Sequence, residues 1–314
     1  MNTRTKLTIG TRGSKLALWQ SRYVASLLSE QTGLPVELEI IKTTGDKILD
    51  VPLAKVGGKG LFTKELEVAL LDGRVDLAVH SMKDVPTELP EGCVLAGMPA
   101  REDARDVLVS HHDEDLLTLA DGARVGTSSL RRIAQLRSLR PDIEIVDVRG
   151  NLDTRMRKAE EGEVDAVLLA AAGIRRMGWK TRISSYISVE QMVSAVGQGA
   201  IGIEIRKDDN FMKEACEALS DAPTLLCVNA ERVVMKTLEG GCQVPIGAWC
   251  RLVDTGKRDE ALLMDAMVGS VDGTRILRTQ RRGDVTEPEA LGLAVVADLR
   301  AQGADEILAE IRVE

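Results

Sequence analysis

Aromatic side chains are nearly missing from this chain. Three Trp, two Tyr and two Phe make up 2% of its 314 residues. With so few rings, no stacking platform for single-stranded nucleic acid is expected. Histidine is as scarce, with only His80, His111 and His112. The five cysteines (Cys93, Cys216, Cys227, Cys242 and Cys250) are odd in number and include no CxxC pair. Neither a disulfide framework nor a zinc site is supported, and no metal is expected. No apolar run is long enough to span a bilayer, and Met1–Lys6 leads into a strand pattern without a signal-type apolar region, so a cytoplasmic location is the expectation. Pro/Ser-rich and low-complexity tracts are also lacking, which excludes a disordered chain.

What is present is an ordinary globular composition with 29% charged residues and a net charge of -8. That sign argues against general binding to nucleic acid or to a membrane surface. The charge is uneven. Residues 131–182 hold 12 Lys/Arg against 8 Asp/Glu, so the remainder carries the acidic excess. A basic segment in an acidic chain fits a local anion site, and charge alone fits a solvated helix face equally well. The length leaves room for two or three domains.

Along the chain, strand patterns alternate with helical spacing. Leu7–Thr11 reads as a strand, Arg12-Gly13-Ser14 as a polar turn, and Leu16, Leu18, Trp19, Tyr23, Val24 and Leu27 as one face of a helix. Val36–Ile41 alternates like a strand. The segment from Lys42 to Gly60, with Gly57, Gly58, Lys55 and Lys59, is irregular and reads either as a glycine-hinged lid or as a plain loop. A helix follows from Leu61, then a strand over Val75–Val79 and the tight loop His80-Ser81-Met82-Lys83-Asp84-Val85-Pro86. After another strand, Arg101–Asp106 reads as a charged connector and a domain crossing.

A second unit repeats the strand, turn and helix order. Arg124–Thr127 precedes Ser128 and Ser129, which can cap a helix starting near Leu130 with Arg131 and Arg132 in its first turn. Ile143–Val148 precedes Arg149-Gly150-Asn151 and a helix bearing Arg155. Val164–Leu169 precedes Ala170 to Gly173 and then Arg175-Arg176. The Gly-rich run Val193–Ala200, with Gln198 and Gly199, reads as a second crossing. A strand over Ile201–Ile205, helices over 209–219 and 225–238, three further strands and a helix over 288–302 complete the chain.

Arg, Ser, Thr or Lys thus recurs where strands end and helices begin. In open α/β sheets that edge is where ligands bind. Helix N-termini add free N–H groups, and cations there work against the helix dipole. The pattern points to an anion. No GxxxxGK[ST] or GxGxxG accompanies these junctions, so nucleotide phosphate is not specifically indicated. Several arginines suit several carboxylates, because a planar guanidinium matches a carboxylate in bidentate fashion. The other notable stretch is Leu238 to Gly247, where Cys242 follows Gly240 and Gly241. Alone it fits a buried thiol in a tight turn or an accessible thiol held out for a covalent load.

Seven motifs, taken together and in order, resemble the porphobilinogen deaminase family (hydroxymethylbilane synthases) over nearly the whole chain. They are Thr11–Ala17, Lys55–Phe62, Val79–Pro86, Val125–Arg132, Arg149–Asn151, Val196–Gly199 and Glu239–Gly247. The resemblance implies an α/β chain of three domains: two periplasmic-binding-protein-like lobes with a cleft, and a smaller α/β C-terminal domain. The boundaries expected are 1–99 with 200–219, 100–199, and 220–314. It implies a transferase of tetrapyrrole (haem-type) biosynthesis that joins four porphobilinogen molecules into hydroxymethylbilane and releases four ammonia. The implied cofactor is dipyrromethane, bound as a thioether to Cys242. Asp84 matches the catalytic aspartate.

The positions matching cofactor and substrate contacts are Arg12, Ser14, Ser81, Lys83, Thr127, Ser128, Ser129, Arg131, Arg132, Arg149, Gly150, Arg155, Ala170, Arg176, Gln198 and Gly199. Lys55, Gly57, Gly58, Lys59 and Phe62 match the lid loop. Porphobilinogen carries an acetate and a propionate, which accounts for the arginines. Lys83 beside Asp84 is expected to keep that carboxylate ionised. A monomer is expected, with no nucleic-acid or membrane partner. Two rivals from other classes are a two-lobed sensor of a carboxylated small molecule and a thiol-dependent acyl transferase. The Gly-Gly-Cys turn argues against the first, and the lack of a histidine near Cys242 against the second.

Overall fold

The computed structural model describes residues 4–47, 60–239, 244–254, 256 and 260–313. Lys55, Gly57, Gly58, Lys59 and Cys242, all singled out above, lie outside those residues. The chain divides into two compact units, one from residues 4–47, 60–102 and 199–225, the other from 103–198 and 226 onward.

In the first unit, β1 (Leu7–Thr11), β2 (Val36–Ile40), β3 (Leu77–Ser81), β4 (Cys93–Gly97) and β10 (Ile201–Arg206) form one sheet in the order β2-β1-β3-β10-β4. β1 is parallel to β2 and β3, and β10 runs antiparallel to β3 and β4. Both faces are covered, so the strands read as nearly continuous apolar runs. One face packs Leu7, Ile9, Leu77, Val79, Ile203 and Ile205 against α1 (Lys15–Thr32). The other packs Ala78 against Leu66, Ala69 and Leu70 of a helix over Lys64–Leu71. α1 forms where its capping signals stand. The Ser14 hydroxyl accepts from the Ala17 amide at 3.2 Å, and Gly33 closes the helix at φ 71°. A single helical turn, α2 (Thr44–Lys47), precedes the Lys64–Leu71 helix, α3, which starts three residues later than the spacing suggests.

The second unit holds β5 (Asp106–Ser110), β6 (Arg124–Gly126), β7 (Glu144–Val146), β8 (Ala166–Ala170) and β9 (Ser185–Tyr186), in the order β7-β6-β8-β5-β9. Here too the first three are parallel, and the fourth, β5, is antiparallel to both neighbours. The two sheets share one topology, in keeping with the strand, turn and helix order that the sequence repeats. α4 (Leu130–Leu139) covers one face through Leu136. α5 (Leu152–Glu160) and α6 (Ala171–Arg176) cover the other through Met156, Ala159 and Ile174. In the first unit, α7 (Asn210–Glu217) packs Met212 and Cys216 beside α1.

α8 (Ala222–Thr237) leads to an antiparallel sheet of β11 (Ile246–Asp254), β12 (Glu260–Gly269) and β13 (Ile276–Asp284). α8, α9 (Pro288–Ala301) and α10 (Ala304–Val313) bury its inner face through Val234, Val295 and Leu308. The sequence reading ends with the helix over 288–302 and does not anticipate α10, which follows Gly303.

Candidate functional site

Asp84 sits in a 3-10 turn over Met82–Asp84, directly after β3. Strand β3 extends through His80 and Ser81, which the sequence reading places in the loop. Two apolar side chains fasten the turn: Met82 is 1% exposed and Val85 7%. The Met82 amide donates to the Ala200 carbonyl at 3.0 Å. Gly202 leaves the space that Met82 fills, since a Cβ there would meet Met82 Sδ at 2.3 Å. With both neighbours held, Lys83 and Asp84 are left half-buried at the end of the strand. The Asp84 carboxylate has no hydrogen-bond partner among the described residues. Ser81 shares hydrogen bonds with Gln20 of α1, which donates from Nε2 at 3.0 Å. Sequence reasoning missed Gln20, because a polar residue in a helix reads as solvent-facing.

Arg12 follows β1, as expected, but it is already engaged. Its Nη2 lies 2.5 Å from Asp46 Oδ1 of α2, and its guanidinium covers the Phe62 ring at 4.2 Å. Burial raises the Asp46 pKa, yet Arg12 and Thr43 outweigh it and leave the carboxyl below its ordinary value. Phe62, expected on the lid loop, is therefore part of the platform under Arg12. Ser14 is spent as the α1 cap.

In the second unit the hydroxyls and arginines gather after β6, β7 and β8, with two corrections. Ser129 holds the N-cap position of α4, but its side chain makes no cap bond. The Ser128 hydroxyl instead donates to the Val148 carbonyl at 2.8 Å, and the Ser129 amide to Thr127 Oγ1 at 3.3 Å. Arg175 and Arg176 lie in the last turn of α6, not at its start. There a cation is favoured by the helix dipole, so this pair loses its force as an anion signal. Ala170 stands at the N-cap of the same helix. Arg155 donates from Nε to the Gly150 carbonyl at 2.8 Å and fastens the turn bearing Arg149. Gly150 takes φ 112°, a conformation closed to most side chains. Gln198 donates to the Ala104 carbonyl at 2.7 Å, and Gly199 sits at φ 89°.

Arg131 and Arg132 do occupy the first turn of α4, but both are buried, at 4% and 5% exposure. Their partner is Asp106, 0% exposed, at 2.7 Å from each. Asp106 is no part of a surface connector; it opens β5. Burial would push its carboxyl up, but the charges of Arg131 and Arg132 and their hydrogen bonds hold it far below the usual carboxylate range. Burial in turn lowers Arg132.

A second buried polar group also escaped the sequence reading. His80 Nε2 lies 2.8 Å from Glu204 Oε2, and Glu67 stands near with its pKa raised by burial and then by Glu204. Histidine and glutamate spaced 124 positions apart carry no local signal. Cys93, Cys216, Cys227 and Cys250 are buried free thiols. Burial, with nearby carboxylates, pushes Cys93 and Cys216 up to about 12, which leaves them inert.

Two guanidinium groups share one carboxylate at Asp106, so among the described residues a positive charge remains uncompensated there. Arg131 Nε and Arg149 Nη1 are buried without a hydrogen-bond partner among the described residues. Unsatisfied cationic donors of this kind suit a ligand with several carboxylates, as a dipyrromethane with acetate and propionate arms would be. By fold and side chains this is an α/β protein with cationic and hydroxyl side chains gathered at strand ends.

Residues 7–214 match the family described as "Porphobilinogen deaminase, dipyromethane cofactor binding domain", and residues 225–301 match its C-terminal domain. The chain belongs to the porphobilinogen deaminase family. It is 53% identical over 306 residues to porphobilinogen deaminase of Syntrophobacter fumaroxidans, covering 97% of each chain. To the Chloroherpeton thalassium protein of that name it is 50% identical, covering 98% of each. To the one from Geobacter sulfurreducens it is 49% identical, covering 98% of this chain and 95% of that. Among solved structures, the methionine binding protein MetQ is matched at 12% identity and a TM-score of 0.43, over 68% of this chain and 89% of its own. Among the described residues, no helix is long and apolar enough to cross a membrane.

Proposed function

We propose that the chain condenses four porphobilinogen molecules head to tail into hydroxymethylbilane. Each cycle breaks an aminomethyl C–N bond, releases ammonia and forms a C–C bond at a pyrrole α-carbon, which then gives up its proton. Water takes the final methylene as product leaves. The observation that carries this reading is the Lys83–Asp84 turn, fastened by Met82 and Val85 and presenting a carboxylate with no partner among the described residues.

Loss of ammonia leaves a cationic azafulvenium on the substrate. The Asp84 carboxylate accepts from the pyrrole N–H and stabilises that charge, which is an electrostatic role. It also relays the proton between amine and carbon. Thr127, Ser129, Arg131, Arg149 and Arg155 bind the acetate and propionate arms. The dipyrromethane, held as a thioether at Cys242, supplies the pyrrole α-carbon at which building starts. Cys242 suits that attachment because the other four cysteines are buried. The same reading divides the work among residues 1–99 with 200–219, 100–199, and 220–314, in a cytosolic monomer.

Intact mass of the purified chain tests the proposal. The mass is expected to exceed the polypeptide by two linked pyrroles, and Cys242→Ser is expected to abolish that excess. An active chain of unmodified mass, or a fully loaded Cys242→Ser variant, would overturn it.

A further inference from the structure

We propose that His80 is a positioning residue, whose hydrogen bond to Glu204 fixes the end of β3 and so the place of the Asp84 carboxylate. This rests on the function proposed above. β3 and β10 pair antiparallel, with His80 opposite Gly202 and Ala78 opposite Glu204. Alternate residues of a strand share a face, so His80 and Glu204 lie diagonally across the ladder on the face of Ala78, which α3 covers. His80 Nε2 spans that diagonal to Glu204 Oε2 at 2.8 Å. A carboxylate only accepts, so Nε2 carries the proton. Beyond His80 comes Met82, whose sulfur fills the space over Gly202. His80 is therefore locked two residues before the side chain that anchors the turn, and four before Asp84.

Nothing else nearby can take the place of His80. Glu204 is 0% exposed, and its Oε1 is buried without a partner. No other nitrogen or oxygen donor among the described residues reaches its carboxylate. The side chains that face it from other elements supply none. Glu67 comes from α3 as a second carboxyl, with its own Oε1 unpartnered. Cys93 comes from β4 with a thiol that burial and then the charge of Glu204 push up to about 12, and a thiol is a weak donor. Stability does not account for the pair. Apolar side chains in place of a buried ion pair are commonly neutral or stabilising, and this face is otherwise apolar through Leu66, Ala69, Leu70 and Ala78. A directional bond does what apolar packing there does not, because it holds one strand end to a single position.

The test separates position from stability. His80→Ala, His80→Gln and the apolar double variant His80→Leu with Glu204→Met are made in the full-length chain. Each is compared with the unmutated chain by thermal melting, by intact mass, and by KM and kcat for porphobilinogen well below Tm. His80→Ala leaves Glu204 without its partner and is expected to lower Tm by about 6–20 °C. It is expected to keep the pyrrole load and to lose about 10–100-fold in kcat, the cost of misplacing a catalytic group by about 1 Å. KM is expected to change far less, because side chains of the second unit bind the acetate and propionate arms. His80→Gln, which brings an N–H near the position of Nε2, is expected to recover most of kcat. The double variant is expected to melt close to the unmutated chain and still to lose kcat as His80→Ala does, and it decides the matter if His80→Ala does not fold. Unchanged kcat in the double variant, no recovery in His80→Gln, or a loss confined to KM would overturn the assignment. If the unmutated chain carries no pyrroles and leaves porphobilinogen unchanged, the proposed function fails instead.

Discussion

Asp84 is a half-buried carboxylate without a partner among the described residues, so its side chain contributes little to folding. Asp84→Ala is expected to change stability by no more than about 0.5 kcal/mol. Turnover of porphobilinogen is expected to fall about 100–1000-fold, the range for losing one preorganised charge. Single-turnover kinetics on the loaded chain check this, and near-normal rates would remove Asp84 from the chemistry. Candidates of this kind stand out in the sequence only through motifs. Val79–Pro86 and Glu239–Gly247 point to Asp84 and Cys242 through family resemblance, although each alone fits a plain turn. What was not legible is the engagement of each side chain. Arg12 reads as free for a ligand, yet it stands 2.5 Å from Asp46. Arg131 and Arg132 read as cations at a helix start open to a ligand, yet both are buried against Asp106.

Elements were easier to read than their ends and contacts. Apolar periodicity and the Ser14 and Gly33 signals define α1, and alternating or continuous apolar runs mark most strands. The failures have physical causes. Ser129 stands where a cap belongs, but Thr127 takes its amide and the backbone of Val148 takes the neighbouring hydroxyl. Arg175 and Arg176 end α6 because β8 runs to Ala170, which leaves only a short helix after it. Glu231 is the clearest case of hidden burial. On α8 it reads as a solvent-facing charge, but it is 0% exposed. Its carboxylate accepts from the amides of Gly197 at 2.7 Å and Cys250 at 2.8 Å, tying the crossing segment and β11 to one helix. Glu231→Ala strands both amides, at a cost of roughly 2–6 kcal/mol. Urea unfolding is expected to show that loss, and an unchanged midpoint would mean the two amides find other partners.

At the scale of the whole molecule, acid stability follows from the paired carboxylates. Asp106 is held far below the usual carboxylate range, and Asp46, Asp103 and Asp209 are lowered as well. A group whose folded pKa is depressed stabilises the fold fully above its unfolded value, and that stability is lost as pH falls through the folded pKa. Stability is therefore expected to decline below about pH 4. Glu67, raised by burial, has the opposite sign and partly offsets the decline as it protonates. Urea midpoints taken across the acid range check this. Asp106→Asn is expected to flatten the acid limb, and an unaltered slope would show that Asp106 does not dominate it. By itself the sequence determined the order and type of the elements, the basic strand ends and the family, because periodicity, turn residues and short motifs are local properties of the chain. Only the tertiary structure decided which charges meet. Asp106 reaches Arg131, Arg132 and Gln198 from 25, 26 and 92 positions away, and pairs that distant are set by how β5 and α4 pack, a relation that no local pattern encodes.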